Sequence, residues 1–204
     1  LVTLLETVIA GRIVPSFTAS ALRTVPWRHA GIDRTAIALT GVALAAWAFD
    51  VSPVLTGLLA GVAALFQLIR VWGWRPGATL GTPLLWILHV SHGWIIVALL
   101  CLALSAVGVM ASTPVLHLLT VGATGGLIIA MITRTALGHT GRLLVAGRIE
   151  NACFWLMQMA LALRVAPLLG LPPTTYRAFL MASSTAWWKY VPILIAPRVD
   201  GRPG

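Results

Sequence analysis

His89, His92 and His117 lie between Pro76 and Thr133, a stretch without a single Lys, Arg, Asp or Glu. That stretch runs into Arg134-Thr135-Ala136-Leu137-Gly138-His139-Thr140-Gly141-Arg142. An imidazole among apolar residues is costly unless it hydrogen-bonds or coordinates a metal, so His89, His92, His117 and His139 are the candidate ligands of this chain. Neutral imidazole suits iron or copper. His89 and His92 are three residues apart and share a helix face if the segment is helical. His29, flanked by Arg28 and Ala30, reads as a solvated residue of a basic loop.

The residues around them define the setting. The 204-residue chain is 59% hydrophobic and 9% charged, with a mean hydropathy of +0.94, far from the balance of a soluble globular domain. It is expected to be an all-α polytopic membrane protein. Its net charge of +9 comes from single basic residues between apolar runs, without a basic tract, which argues against nucleic acid. Cys101 and Cys153 have neither the CxxC nor the CxxCH spacing and read as small buried hydrophobes. No paired carboxylates, nucleophile–base pair or nucleotide loop is visible, so any turnover would have to be carried by a metal.

Apolar length predicts seven membrane segments, at about residues 1–22, 35–49, 52–71, 83–109, 114–133, 149–170 and 174–196. The second is short and is expected to extend through the turn around Asp33. The first contains Glu6, Gly11, Arg12 and Pro15 and is expected to be a broken or re-entrant helix. Arg23, Arg28 and Arg34, then Arg70 and Arg75, then Arg134, Arg142 and Arg148, then Lys189, Arg198 and Arg202 fall in alternate connections. These connections and the C-terminus are therefore placed in the cytoplasm. Gly57, Ala60 and Gly61, and the run Gly122 to Gly126, read as close-packing surfaces, the latter also as room for a flat cofactor.

This topology sets depths. His89 lies about 9 Å inside the cytoplasmic edge, with His92 a turn deeper and His139 at the same end. His117 lies near the outer edge, so it cannot share one metal site with His89, whereas His89 and His139 can. Either there are two sites or one of these histidines is structural; His117 also reads as an interfacial hydrogen-bonding residue and His92 as support for its neighbour. Arg134 and Arg142 serve the positive-inside pattern or pair with carboxylates such as haem propionates, and Arg12 holds an anion or satisfies the carbonyls that Pro15 frees.

Four motifs carry a resemblance. Gly11-Arg12-Ile13-Val14-Pro15-Ser16-Phe17-Thr18, Pro83-Leu84-Leu85-Trp86-Ile87-Leu88-His89, Leu116-His117-Leu118-Leu119-Thr120-Val121-Gly122-Ala123 and Arg134 through Arg142 together resemble the NnrS family. The resemblance implies a bacterial inner-membrane protein associated with haem (b-type) and copper and tied to nitric oxide metabolism and nitrosative stress. Family members are usually about twice as long, and this chain resembles their C-terminal half. A missing N-terminal half or a partner subunit is therefore expected. Where the family commonly has Gly-Tyr-Ala-Trp after its Leu-His, this chain has Ser91-His92-Gly93-Trp94 after Leu88, His89 and Val90. The leading expectation is a haem or haem–copper protein with His89 and His139 as ligands and a second site at His117. The alternatives are a transporter or assembly factor with an Arg/His polar path, and a structural subunit.

Overall fold

The computed structural model describes residues 1–166, 190–195 and 199, and among these the regular structure is entirely helical. In chain order the helices are α1 (Val2–Leu22), α2 (Ala30–Ala48), α3 (Pro53–Gly73), α4 (Pro83–Ala106), α5 (Thr113–His139), α6 (Arg148–Val165) and the short α7 (Tyr190–Ile195). α1, α3, α4 and α5 are long and apolar enough to cross a membrane. The 19 residues of α2 and 18 of α6 approach spanning length at about 1.5 Å each, but Asp33 and Arg34 in one, and Glu150, Asn151, Gln158 and Arg164 in the other, dilute their apolarity. Most of the predicted segment 174–196 lies outside the described residues.

Local chemistry explains the boundaries. Pro53 and Pro83 stand in the first turns of α3 and α4, where an N–H has no intrahelical partner. His29 and Ser52 cap α2 and α3 by accepting from the amides of Ile32 and Leu55. α2 begins at Ala30, ahead of the predicted 35, and so includes the turn around Asp33.

α1 is continuous, contrary to the expected break at Pro15. Proline removes one bond, to the carbonyl of Gly11, and the helix carries this single loss without a break. Thr18 donates to Val14 at 2.9 Å, Thr7 to Thr3 at 2.8 Å, and the guanidinium of Arg70 reaches in from α3 to the Thr7 carbonyl at 3.1 Å.

α3 and α4 form the centre, with α2 packed on α3, and α1, α5 and α6 around α4. Without a solvent-driven hydrophobic force between helices in lipid, close approach of backbones has to hold such a bundle together. On α3, Ala60, Ala63 and Ala64 are almost fully buried, and a Cβ on Gly57 would stand 2.7 Å from that of Ala106. The Gly122–Gly126 run is likewise filled by protein. A Cβ at Gly122 would meet Leu161 and Trp94 at 2.6 and 2.8 Å, and the Ser91 hydroxyl occupies the equivalent place at Gly126.

Inside α5, residues Leu118–Gly125 form a π-helix, a widened turn that often accompanies function. Thr124 donates to the carbonyl of Leu119, five residues back, at 2.9 Å.

Candidate functional site

The polar centre of the bundle is built on four helices and the turn after α3. Gln67 and Arg70, one turn apart on α3, are buried, as are His89 and His92 on α4. Trp74, at the C-cap of α3, is also buried and lies against both imidazoles, with ring centroids 6.4 Å from His89 and 5.0 Å from His92. The Arg70 guanidinium stands 5.2 Å from the Trp74 ring centroid, in cation–π range.

A hydrogen-bonded chain connects these groups. Arg70 donates through Nε to Asp33 Oδ1 of α2 at 2.7 Å, and through Nη1 to Thr7 O of α1 and, at 3.4 Å, to Gln67 Oε1. Gln67 Nε2 donates to Thr40 Oγ1 at 3.0 Å, while its Oε1 lies 3.3 Å from His92 Nε2. With that oxygen as acceptor, His92 carries its proton on Nε2 and leaves Nδ1 as a buried atom without a partner.

His89 has the complementary arrangement. Its Nδ1 donates to the Leu85 carbonyl at 3.0 Å, which orients the ring and leaves the Nε2 lone pair available. Nε2 is buried and makes no well-formed hydrogen bond, although the Trp74 backbone lies near it. Beside this ring is a cleft of about 190 Å³ lined by Pro76, Gly77, Thr79, Leu80, Trp86 and Val90 as well as His89. A backbone carbonyl that holds one imidazole nitrogen and fixes the ring is the usual support of a ligating histidine.

The other predicted residues fall elsewhere. His139 is exposed at the last turn of α5, with no hydrogen bond or ring contact to His89 among the described residues. It belongs to a helix stop formed by Gly138-His139-Thr140-Gly141-Arg142. Gly141 has φ of 73°, its N–H bonds to Gly138 O at 3.2 Å, and the Arg142 N–H bonds to Leu137 O at 2.9 Å. This is the six-to-one and five-to-two pairing of a Schellman cap, which explains the glycine at that position. Arg142 Nη1 is buried without a hydrogen-bond partner among the described residues, and the Arg134 guanidinium lies 3.7 Å from the Phe17 ring centroid of α1. His117 is half-buried near the start of α5, where Arg164 of α6 acts on it electrostatically. Arg12 is exposed on α1, without an ion pair or hydrogen bond among the described residues. No group of three His, Cys, Asp or Glu side chains gathers to hold an ion among the described residues.

Sequence reasoning missed Asp33, Gln67, Arg70 and Trp74. It placed Arg70 in a basic loop, whereas the residue is 3% exposed and belongs to the last turn of α3. The available signal was Gln67 and Arg70 at i and i+3 after an apolar run. A second was Gly11: a Cβ there would collide with the Arg70 guanidinium, so the glycine of Gly11-Arg12 seats an arginine from another helix.

Helices of membrane-spanning length around a buried imidazole–guanidinium network define a polytopic helical membrane protein. The chain belongs to the family described as NnrS protein, whose family model matches residues 1–198. No curated protein and no solved structure matches it.

Proposed function

We propose that the chain is a haem-binding protein of nitric oxide metabolism in the bacterial inner membrane, in which His89 would ligate the iron. In this reading the chain forms about seven spans and its C-terminus is cytoplasmic. The observation that carries the proposal is the His89 ring, held through Nδ1 by Leu85 O, with Nε2 buried beside a cleft. Membership of the NnrS family supports the nitric oxide connection.

The donor chemistry fits haem: imidazole is an ordinary axial ligand, and the Trp86 and Leu80 walls suit the face of a macrocycle. A cleft of about 190 Å³ is smaller than a macrocycle, so lipid or further polypeptide would have to complete the pocket. His139, Arg134 and Arg142 stand at the same end of the bundle as His89, by the antiparallel run of α4 and α5. They are the residues proposed to complete ligation and to meet the propionates. When bound, haem iron supplies a site for diatomic ligands or for electron transfer. The residues of this chain orient the ligand, and Trp74 and the surrounding leucines keep water from it. His117, at the far end, is proposed as a separate site suited to copper.

A second reading is favoured by the buried chain from Asp33 through Arg70 and Gln67 to His92, which resembles the polar path of a transporter or assembly factor. Pyridine haemochrome per polypeptide, measured on protein purified in mild detergent, separates the two. Wild type should give a b-type spectrum, His89→Ala should lose most of it, and His139→Ala should lower it. Unchanged occupancy in both variants, or haem-free wild type together with solute flux in proteoliposomes, would overturn the haem reading.

A further inference from the structure

Leu88, the neighbour of His89 on α4, lines a different cavity, bounded by α1, α4 and α5 and about 190 Å³ in volume. Its walls are aliphatic, including Ile13, Val14, Leu127 and Met131, and Glu6 is the one charged or polar side chain among its lining residues. Ile9 and Ile128 line it too and are half exposed on the outer surface, so the cavity opens sideways, toward lipid rather than along the bundle axis.

The Glu6 carboxyl is incompletely paired. One side adjoins the Thr124 hydroxyl in the π-helical turn of α5, and that hydroxyl already donates to Leu119 O. The other oxygen, Oε2, is buried with no hydrogen-bond partner, and Glu6 forms no ion pair among the described residues. A buried acceptor left unpaired carries a desolvation penalty, which a ligand that supplies one donor relieves.

We propose that this cavity binds the head group of a single-ring lipophilic hydroxyl compound, of the phenol or quinol class, whose hydroxyl donates to Glu6. Volume, wall and access each restrict the ligand. An apolar cavity of about 150 Å³ accepts a benzene ring and stays dry, so about 190 Å³ accommodates a ring with small substituents. Water is a poor occupant because it needs two to four polar partners, and the walls offer one. An acyl chain would fill the space but leave Glu6 Oε2 unpaired. Access from the hydrocarbon phase requires a ligand that partitions there.

The test uses the whole chain in lipid nanodiscs. A lipophilic carbodiimide should form an adduct at Glu6, mapped by peptide mass spectrometry, and a short-chain benzoquinol should protect against it in a concentration-dependent way. Titration of a fluorinated phenol followed by ¹⁹F NMR should show binding. Glu6→Gln, which keeps an acceptor oxygen, should bind within about threefold of wild type, and Glu6→Leu about tenfold more weakly. Ile13→Trp, which fills the cavity, should abolish binding. Thermal melting of each variant separates lost binding from lost folding. Absence of an adduct at Glu6, failure of the quinol to protect, protection by decanol equal to that by the quinol, or wild-type affinity in Ile13→Trp would each overturn the assignment.

Discussion

Replacing Asp33 by Ala removes the counter-charge of Arg70, whose side chain is 3% exposed while that of Asp33 is 16% exposed. Breaking a buried ion pair from one side costs about 3–5 kcal/mol, because the remaining charge keeps its desolvation penalty and loses its partner. Arg70 would retain the Thr7 carbonyl, Gln67 Oε1 and the Trp74 face, and the partial exposure of Asp33 lets water replace some of the loss. The lower end, about 3 kcal/mol, is therefore expected, or about 6–12 °C in melting temperature for a chain of this size. Intrinsic tryptophan fluorescence during a thermal scan in detergent reads it. The double variant Asp33→Ala with Arg70→Met should recover at least half of the loss, since an apolar pair of similar volume is often no worse than a buried ion pair. Arg28 also reaches Asp33, at 3.4 Å, but its side chain is 47% exposed, so Arg28→Ala should cost less than about 0.5 kcal/mol. A melting temperature of Asp33→Ala within about 1 °C of wild type, or a coupling energy below about 0.5 kcal/mol in the cycle, would refute the claim that this pair anchors α2 to α3.

Three further outcomes follow from the same geometry. Gly11→Ala should destabilise the wild type by at least about 1–3 kcal/mol through overpacking against Arg70, yet be tolerated in an Arg70→Ala background; equal losses in both backgrounds would dissociate Gly11 from the guanidinium. Gly141→Ala should cost about 1 kcal/mol in thermal melting, because φ of 73° strains an L-residue, while Gly141→Asn should cost less; no difference between the two would argue against the left-handed cap. A fluorescent protein fused to the C-terminus should be bright and an alkaline phosphatase fusion inactive, and the opposite pattern would invert the proposed depth of every histidine.

Much of the architecture was already present in the order of residue types. Apolar length located α1, α3 and α4 within a few residues, because a bilayer admits few backbone conformations and each must satisfy its own hydrogen bonds; α5 begins as predicted but runs six residues past the predicted 133, to His139, taking Arg134 into the helix. The prolines at the starts of α3 and α4, the serine that caps α3, and the glycine after α5 are local signals that needed no tertiary information. The prominence of His89 and His92 was legible as well, since imidazole in a charge-free stretch has few explanations. Only the packed bundle decided which side chains meet them. Pro15 looked like a helix break, yet α1 runs on through it with the loss of one bond, to the Gly11 carbonyl. Arg70 looked like a loop cation, and is buried because Asp33 of α2 and the Thr7 carbonyl of α1 meet it beside Gln67 and Trp74 of its own segment. Arg12, which looked like the interior charge, faces outward, and its neighbour Gly11 serves the interior by being small. Spacing along one helix tells which residues share a face, but which face turns inward is settled by the partners on other helices, and those contacts are long-range in the chain.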